Sequence, residues 1–525
     1  MTSQLLITPI LLPLATGAIL LMLGARHRRW EAALAVGSCA ALMVNAIALV
    51  IFTDSGAEAT SHAYRLGHWP ASLAIVLVAD RLSALMLFLA AALGLTSAIF
   101  ALARWSRLGP YYFALSQFLL MGLNGAFLTG DLFNLFVFFE VLLAASYGLL
   151  LHGSGAPRVK AGLHYIVINL AASLLFLVGV SLIFGVTGSL SMAVLSERVA
   201  TAPPEIRGLL QAGAAILGMA FLVKAAAWPV GFWLVRTYDA ASPPVAALFA
   251  IMTKVGIYVL LRLSALLFGP EAGASADFGR DWLFVMGAAT SLTGLVGILA
   301  VRDLGKLAGY NLVISAGTLL CAISLGQSAV TAGAIFYLAV STLGAAALFL
   351  LAGVIGERGD DYEAAPQLED YDPAGDGLYT EEDERAVLIT APVGILSAAF
   401  LAVTLMAAGI PPFPGFLAKV TILAPLVPEL ATWKGALLAG LLIISSLVVL
   451  IALMRAGIQL WWVEADRAAI PIRLAEIAPI AGLLAVFVVL TIAVQPPLGF
   501  AIRAAEQLHD PAQYVRTVLG GEARP

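Results

Sequence analysis

The apolar run from Thr129 to Leu151, TGDLFNLFVFFEVLLAASYGLLL, carries a carboxylate, Glu140, near its middle. The run is long enough to cross a bilayer as one helix, for which about 20 residues suffice. A carboxylate at that depth costs about 2.5–3.5 kcal/mol on insertion scales, so it is expected to face a polar interior and a basic partner. The rest of the chain must therefore supply buried bases.

The composition indicates a polytopic membrane protein. Hydrophobic residues make up 61% of the 525 residues and charged residues only 11%, whereas roughly 25% of a soluble domain is charged. No basic stripe for nucleic acid is present. Cys39 and Cys321 lie inside apolar runs and suggest neither a disulfide framework nor a metal site. The first apolar run precedes its basic residues, which favours an uncleaved helix over a signal peptide.

Apolar windows predict an all-α fold with about 14 transmembrane helices. We number them spans 1 to 14; they cover residues 4–24, 31–53, 80–103, 110–129, 131–151, 162–186, 207–236, 243–268, 281–300, 303–326, 329–356, 386–428, 434–462 and 474–496.

Two spans contain proline in the middle, at Trp228-Pro229 in span 7 and within Ile410–Gly415 in span 12. Proline removes a backbone donor and clashes with the preceding turn, so both helices should be broken. Two broken helices five spans apart indicate a transport site between two inverted five-helix repeats, spans 4–8 and spans 9–13.

The chain accordingly divides into four predicted segments. They are an N-terminal three-helix segment (1–109), the first repeat (110–268), the second repeat (281–462) and the last helix with the tail (463–525). Loops after odd-numbered spans carry most of the loop lysines and arginines, which places those loops in the cytoplasm and both termini outside. Of the 32 acidic residues, 12 fall between Glu357 and Glu384. The loop 357–385 is either a solvated linker or a docking surface for a partner.

Buried bases occur in three spans: Lys224 in span 7, Lys254 in span 8 and Lys419 in span 12. One carboxylate and three lysines at membrane depth are the composition of a proton relay, because each group responds to the charge of its neighbour. A static Glu140–Lys224 ion pair and interfacial positions for Lys254 and Lys419 remain alternatives.

Other charged residues have simpler interpretations. Arg262 in span 8 is expected to be a snorkelling or structural charge. Asp131 is a candidate helix N-cap or part of an ion-entry site, with the cap favoured. Asp80 is expected to be a cap or a surface charge.

Secondary candidates for the proton path lie near Glu140. Tyr147 shares its helical face, and Tyr147 with Ser146 could hold water there. His164 is a candidate for proton uptake at the start of span 6, against the alternative of a surface histidine. Asn169 and Ser173 could add polar lining, although such residues more often bond between helices.

No cofactor motif is present: the chain lacks a P-loop, a GxGxxG, a CxxC and an HExxH. We therefore expect no cofactor and no metal, and a secondary transporter subunit rather than an enzyme. The driving force would be an ion gradient or coupling to partner subunits.

Several motifs resemble the antiporter-like subunits shared by respiratory complex I and Mrp-type cation/proton antiporters, and they cover the chain in order. They are the Glu140 helix and the sequences KAAAWPVGFWL from Lys224, SPPVAAL from Ser242, KVGIY from Lys254 and GIPPFPGFLAK ending at Lys419. GDLFNLFVFFEVLLAASYG from Gly130 and STLGAAALFL from Ser341 look most like the D-type branch of the Mrp, or Pha, family.

The resemblance implies that Glu140, Lys224, Lys254 and Lys419 form a proton-translocating axis, completed by partner subunits of types A, B, C, E, F and G that exchange Na⁺ or K⁺ for protons. The chain departs from many relatives at Val340 and Ser315, where they carry histidine, and at Gly344-Ala-Ala-Ala, where some carry lysine. Alternatives are an N- or M-type pumping subunit of complex I or a membrane-bound hydrogenase, which would make the chain part of a redox enzyme, and a structural scaffold subunit.

Overall fold

Helices account for all the predicted spans in the computed structural model, which describes residues 2–23, 27–55, 61–68, 75–355, 388–390, 393–460 and 471–520. Spans 1 to 6 are α1 (Thr2–Leu23), α2 (Arg28–Asp54), α3 (Arg81–Ala101), α4 (Tyr112–Leu128), α5 (Leu132–Leu150) and α6 (Ala156–Thr187). The later helices are α7 (Met192–Ala200), α8 (Pro204–Lys224), α9 (Trp233–Ala240), α10 (Pro243–Phe249), α11 (Met252–Phe268), α12 (Arg280–Ala300), α13 (Leu304–Ser324), α14 (Ser328–Ile355), α15 (Val393–Ala408), α16 (Pro414–Leu426), α17 (Trp433–Ile458), α18 (Leu474–Ile492), α19 (Gln495–Leu508) and α20 (Pro511–Leu519).

Within the described residues, 13 helices are long and apolar enough to cross a membrane, and the shorter apolar helices α4 and α15 complete spans 4 and 12. The predicted all-α polytopic fold is confirmed. The acidic loop 357–385 lies outside the described residues.

Spans 7 and 12 are broken where the prolines predicted it. Span 7 consists of α8 and α9, separated by residues 225–232, and span 12 consists of α15 and α16, separated by residues 409–413. The freed backbone groups find partners inside the protein, as hydrocarbon requires. The amide of Trp228, for example, donates to Thr290 Oγ1 of span 9 at 2.9 Å.

Span 8 is also interrupted, which the sequence did not predict. It consists of α10 and α11, because regular α-helix stops after Phe249 and resumes at Met252. No proline lies at this point, so composition carried no signal of the break.

Spans 8, 10 and 11 form the centre of the molecule, with most of each helix enclosed by protein. Span 4 packs on span 5 and span 6 on span 7, while span 9 packs on span 10 and span 11 on span 12. This order is compatible with the two inverted repeats, which stay a prediction.

Three short α-helices and most of two small sheets lie outside the predicted spans. One strand, at residues 388–390, lies within the predicted span 12, so the predicted start of that span is wrong and its helix begins at Val393. Helix α7 precedes span 7, and the tail forms α19 and α20, of which α19 packs on span 11 and α20 on α7. These helices carry a polar face, so windows for continuous apolar runs do not detect them. The sheets are antiparallel pairs: β1 (His62–Arg65) with β2 (Val76–Ala79), and β3 (Leu388–Thr390) with β4 (Pro471–Arg473).

Candidate functional site: a row of buried charges

Glu140 and Lys224 face each other across spans 5 and 7 without forming a close ion pair. Lys224 is buried, and the Glu140 carboxylate is the charged group that acts on it. Their N and O atoms do not approach within 4.0 Å, and Glu140 Oε1 is buried with no hydrogen-bond partner among the described residues. The Lys224 ammonium instead lies 4.6 Å from the centroid of the Phe139 ring. Its charge is therefore stabilised by an aromatic face and a nearby carboxylate.

The Phe139 ring belongs to an aromatic cluster on spans 5, 6 and 7. Phe139 packs against Phe176 and Phe221, whose ring centroids lie 6.1 and 5.9 Å away. These rings exclude water from one side of Lys224. Low dielectric of this kind strengthens the interaction between Lys224 and any charge that remains nearby.

Lys254 lies in the first turn of α11 and has no exposed surface. Its ammonium donates a hydrogen bond to Ser315 Oγ on span 10, which in turn donates to Ser341 Oγ on span 11 at 3.4 Å. Span 8 is in close contact with span 7 here. The contact is so close that a side chain at Gly256 would collide with the Phe221 carbonyl. The structure thus brings Lys224 and Lys254 onto neighbouring turns of helices in contact.

Lys419 is buried across the break of span 12. It lies on α16, and its ammonium donates to the Ala408 carbonyl at the end of α15 at 3.1 Å. It also donates to Ser445 Oγ and Ser446 Oγ of span 13 at 3.2 and 2.8 Å. A cation at the carboxyl end of a helix is stabilised by the helix dipole. Lys224, the last residue of α8, occupies the same kind of position in the first break.

Arg262 is buried in an ion pair, which agrees with the expected structural charge, while the snorkelling alternative is wrong. Its guanidinium donates to both carboxylate oxygens of Asp80 at 2.7 and 2.9 Å and to Tyr258 Oη at 2.9 Å. Asp80 also caps α3, accepting from the Ser83 amide. Burial opposes ionisation of Asp80, but the Arg262 charge and the hydrogen bonds from Arg262 and Ser83 outweigh it and hold the pKa of Asp80 below its usual value.

Asp131 caps α5, accepting from the Asn134 amide at 2.9 Å, so the favoured interpretation is confirmed. Burial raises the pKa of Asp131, and its backbone hydrogen bonds oppose the rise. His164 is exposed on this chain and bonds to the Lys160 carbonyl of its own helix.

Tyr147 is half-buried, and Ser146 is engaged elsewhere. The Ser146 hydroxyl bonds to Tyr165 Oη at 2.6 Å and to the Leu143 carbonyl. Asn169 donates to the Tyr165 carbonyl within its own helix. The structure therefore gathers Glu140, Lys224 and Lys254 but gives the secondary candidates no bond to them.

A model of the membrane-subunit family described as "NADH:quinone oxidoreductase/Mrp antiporter, TM" matches residues 129–429, more than half of the chain. The chain belongs to this family. The match runs from the cap of span 5 to the end of span 12 and so contains Glu140, Lys224, Lys254 and Lys419.

Curated relatives within the family carry antiporter names. The D-type component of a probable K(+)/H(+) antiporter of Rhizobium meliloti is 46% identical over 98% of both chains. The D-type component of the Na(+)/H(+) antiporter of Alkalihalophilus pseudofirmus is 32% identical over 98% of this chain and 99% of the relative.

Among solved structures, a chain of the Mrp complex from Dietzia sp. matches with a TM-score of 0.83 and 27% identity over 99% of both chains. Chains of an archaeal membrane-bound sulfane sulfur reductase and of respiratory complex I from Thermus thermophilus match with TM-scores of 0.82 and 0.75 at 22% identity. These last two show a shared fold.

The serine partners of Lys254 and Lys419 were not predicted from the sequence. Ser315 was noted only as a departure from relatives. Ser341, Ser445 and Ser446 are common residue types in apolar helices, where they often bond to their own backbone. The doubled serine at 445–446, in an otherwise apolar span, was the available signal.

Proposed function

We propose that the chain is the proton-carrying subunit of a multisubunit monovalent cation/proton antiporter in a bacterial inner membrane. Its partners would be the other antiporter subunits, of types A, B, C, E, F and G. The names of its relatives, which are D-type components of K⁺/H⁺ and Na⁺/H⁺ antiporters, support this proposal. In this role the chain is a transporter subunit and not an enzyme.

Protons would move along the row of buried charges. Glu140 accepts a proton from one side of the membrane, and the charge of Lys224 changes with it. Lys254 and Lys419 carry protons onward. Because neighbouring groups titrate together, protonation at one end alters the protonation state at the next.

The observation that carries the proposal is the loose arrangement of Glu140 and Lys224. A static pair that fixes helix packing gains its stability from short contacts and satisfied lone pairs. Here the carboxylate keeps one buried oxygen without a partner among the described residues and stands more than 4.0 Å from the ammonium. Such an arrangement supports a role in proton exchange rather than a role as a static ion pair.

The test is cation-driven proton flux in vesicles that carry the whole complex. We expect Glu140→Gln and Lys224→Ala to lower flux by on the order of 10²-fold, the scale of a lost proton-transfer group. Glu205→Gln, the same chemical change at an exposed position in the first turn of α8, is the matched control. Flux near the wild-type rate in both variants, in complexes that assemble normally, would show that the charges are structural and that this chain is a scaffold.

A pumping subunit of a redox complex is the second candidate, because the family model covers both kinds of assembly and the fold matches both. The same vesicles separate the two. Flux driven by a Na⁺ or K⁺ gradient, with no electron donor present, supports the antiporter. Flux that appears only with electron transfer through partner chains would replace it.

The topology we propose places both termini outside and the loops after odd-numbered spans in the cytoplasm. The natural Cys39 and Cys321 are buried and will not react readily. Ala512→Cys in the tail should therefore label with an impermeant maleimide in intact cells, and Arg302→Cys after span 9 should not. The reverse pattern would invert the assignment.

A further inference from the structure

Two serine hydroxyls join Lys254 to the neighbouring helices. The Lys254 ammonium donates to Ser315 Oγ, and the Ser315 hydroxyl donates to Ser341 Oγ. Lys254 and Ser315 are buried, whereas Ser341 keeps part of its surface accessible in a stretch of span 11 that is otherwise almost wholly enclosed. The chain of hydroxyls thus runs from a fully buried lysine to a side chain that has accessible surface on this chain.

The direction of these bonds distinguishes Ser315 from other hydroxyls in the spans. Most of them return to their own helix: Thr342 bonds to the Leu338 carbonyl at 2.6 Å and Thr293 to the Ala289 carbonyl at 2.8 Å. That geometry satisfies the hydroxyl donor within the helix. Ser315 instead accepts from one helix and donates to another. Ser341, which accepts from Ser315, donates in turn to the Leu338 carbonyl of its own helix at 3.3 Å.

This arrangement matches what a lysine needs in order to exchange its proton. An ammonium can only donate, while a hydroxyl accepts through one lone pair and donates its own hydrogen at the same time. Among the described residues no acid contacts Lys254, and Ser315 is the side chain that accepts from its ammonium. The proton that leaves Lys254 along a hydrogen bond therefore leaves through Ser315.

We propose that Ser315 and Ser341 are relay residues that pass protons between Lys254 and water beside span 11. This inference rests on the proposed function. In the transfer, an N–H bond of Lys254 breaks and Ser315 Oγ gains that proton. Ser315 gives its original hydrogen to Ser341 Oγ. The Ser341 hydroxyl turns away from the Leu338 carbonyl, to which it donates in the structure, and gives its own hydrogen to a water molecule. The products are a neutral amine, two neutral hydroxyls and a hydronium ion, and rotation of the hydroxyls restores the starting state.

The same two helices offer a matched control. The Thr318 side chain, one turn from Ser315, interacts with the Tyr337 side chain, one turn from Ser341. This polar pair also joins spans 10 and 11, and neither residue hydrogen-bonds to Lys254 in the described part of the chain. Thr318→Val therefore removes a polar interaction between the helices while leaving the hydroxyl chain intact.

The experiment measures cation-driven proton flux in vesicles with the complete complex, for Ser315→Ala, Ser341→Ala, Ser315→Thr and Thr318→Val. We expect both alanine variants to lower flux on the order of 10²-fold. Ser315→Thr, which keeps the hydroxyl, restores most of the flux, and Thr318→Val stays near wild type. Ser341→Ala leaves the Lys254–Ser315 bond in place, so it tests the relay even where Ser315→Ala impairs assembly.

The outcomes separate this inference from the function on which it rests. If Glu140→Gln abolishes flux while both alanine variants stay within about twofold of wild type, the hydroxyl relay is overturned and the antiporter role stands. An equal loss in Thr318→Val and the alanine variants also overturns the relay, since helix packing would then explain both. Normal flux in Glu140→Gln itself would overturn the proposed function.

Discussion

Span 8 carries two cationic side chains, eight residues apart, in opposite surroundings. Arg262 at one end donates to both oxygens of Asp80 and to Tyr258. Lys254 in the middle donates to the hydroxyl of Ser315, and no carboxylate contacts it among the described residues. A side chain in a buried ion pair keeps its charge, because neutralising it would leave the partner charge unpaired in a low dielectric. A lysine held by a neutral hydroxyl can lose its proton without leaving another charge unpaired.

The lysines at the two helix breaks also differ in their partners. Lys224 depends on a titratable neighbour, Glu140, and on an aromatic ring. Lys419 is held by a backbone carbonyl and two serine hydroxyls, none of which titrates. The charge of Lys224 therefore depends on the protonation state of its neighbour, whereas the charge of Lys419 has no titratable partner among these contacts.

The largest expected effect is on the fixed pair. Asp80→Asn leaves the Arg262 guanidinium buried and uncompensated, so we expect it to lower the free energy of unfolding by about 3–5 kcal/mol. Thermal unfolding of the purified complex in detergent measures this. Lys254→Met, which removes a buried charge without stranding another, should cost far less stability while abolishing flux.

The Asp80–Arg262 ion pair also predicts that the stability of the protein depends on pH. Because the pKa of Asp80 is depressed in the folded protein, its contribution is present above the unfolded pKa, near 4, and is lost as pH falls through the folded value. Asp80→Asn combined with Arg262→Met should recover most of the lost stability, since no lone charge then remains. Equal destabilisation by Asp80→Asn and Lys254→Met would remove the distinction between the two cationic side chains of span 8.

A smaller effect is expected for the coupling between Glu140 and Lys224. In a double-mutant cycle with Glu140→Gln and Lys224→Met, thermal unfolding should show an interaction energy of about 0.5–3 kcal/mol, as for residues in one charge network. The same cycle with Lys419→Met in place of Lys224→Met should be additive to within about 0.5 kcal/mol. Additivity in both cycles would mean that Glu140 and Lys224 act independently.

The sequence predicted the spans, both proline breaks and the buried charges because each depends on local composition. Continuous apolar runs report membrane helices, and Pro229 and the prolines near Ile410 report backbone that cannot remain helical. From their positions alone, Asp131 was favoured as a cap over an ion-entry site, and Asp80 was expected to be a cap or a surface charge; both are caps. Charged residues inside apolar runs are rare enough to be noticed individually.

What the sequence did not predict depends on contacts between distant segments. The partners of Lys254 and Lys419 lie 61 and 26 or 27 residues away, on helices whose rotation is decided by packing. Arg262 meets Asp80 across 182 residues. The break in span 8 has no proline, and the helices of the tail lack a continuous apolar run. The distant contacts and the break in span 8 have no local sequence signal, whereas the tail helices have only an amphipathic pattern, which windows for apolar runs do not detect.

The smallest effect is expected at the second break, where Lys419 has three oxygen acceptors. Ser446→Ala removes one of them, and the Ala408 carbonyl and Ser445 hydroxyl remain, so we expect a loss of about 0.5–1.5 kcal/mol of stability. Proton flux should stay within a few-fold of wild type, because the charge of Lys419 is still supported. Ser315→Ala, by contrast, removes the hydroxyl to which the Lys254 ammonium donates. A loss of flux in Ser446→Ala as large as in Ser315→Ala would mean that Lys419 also passes its proton through a hydroxyl, and that the two halves of the molecule handle protons alike.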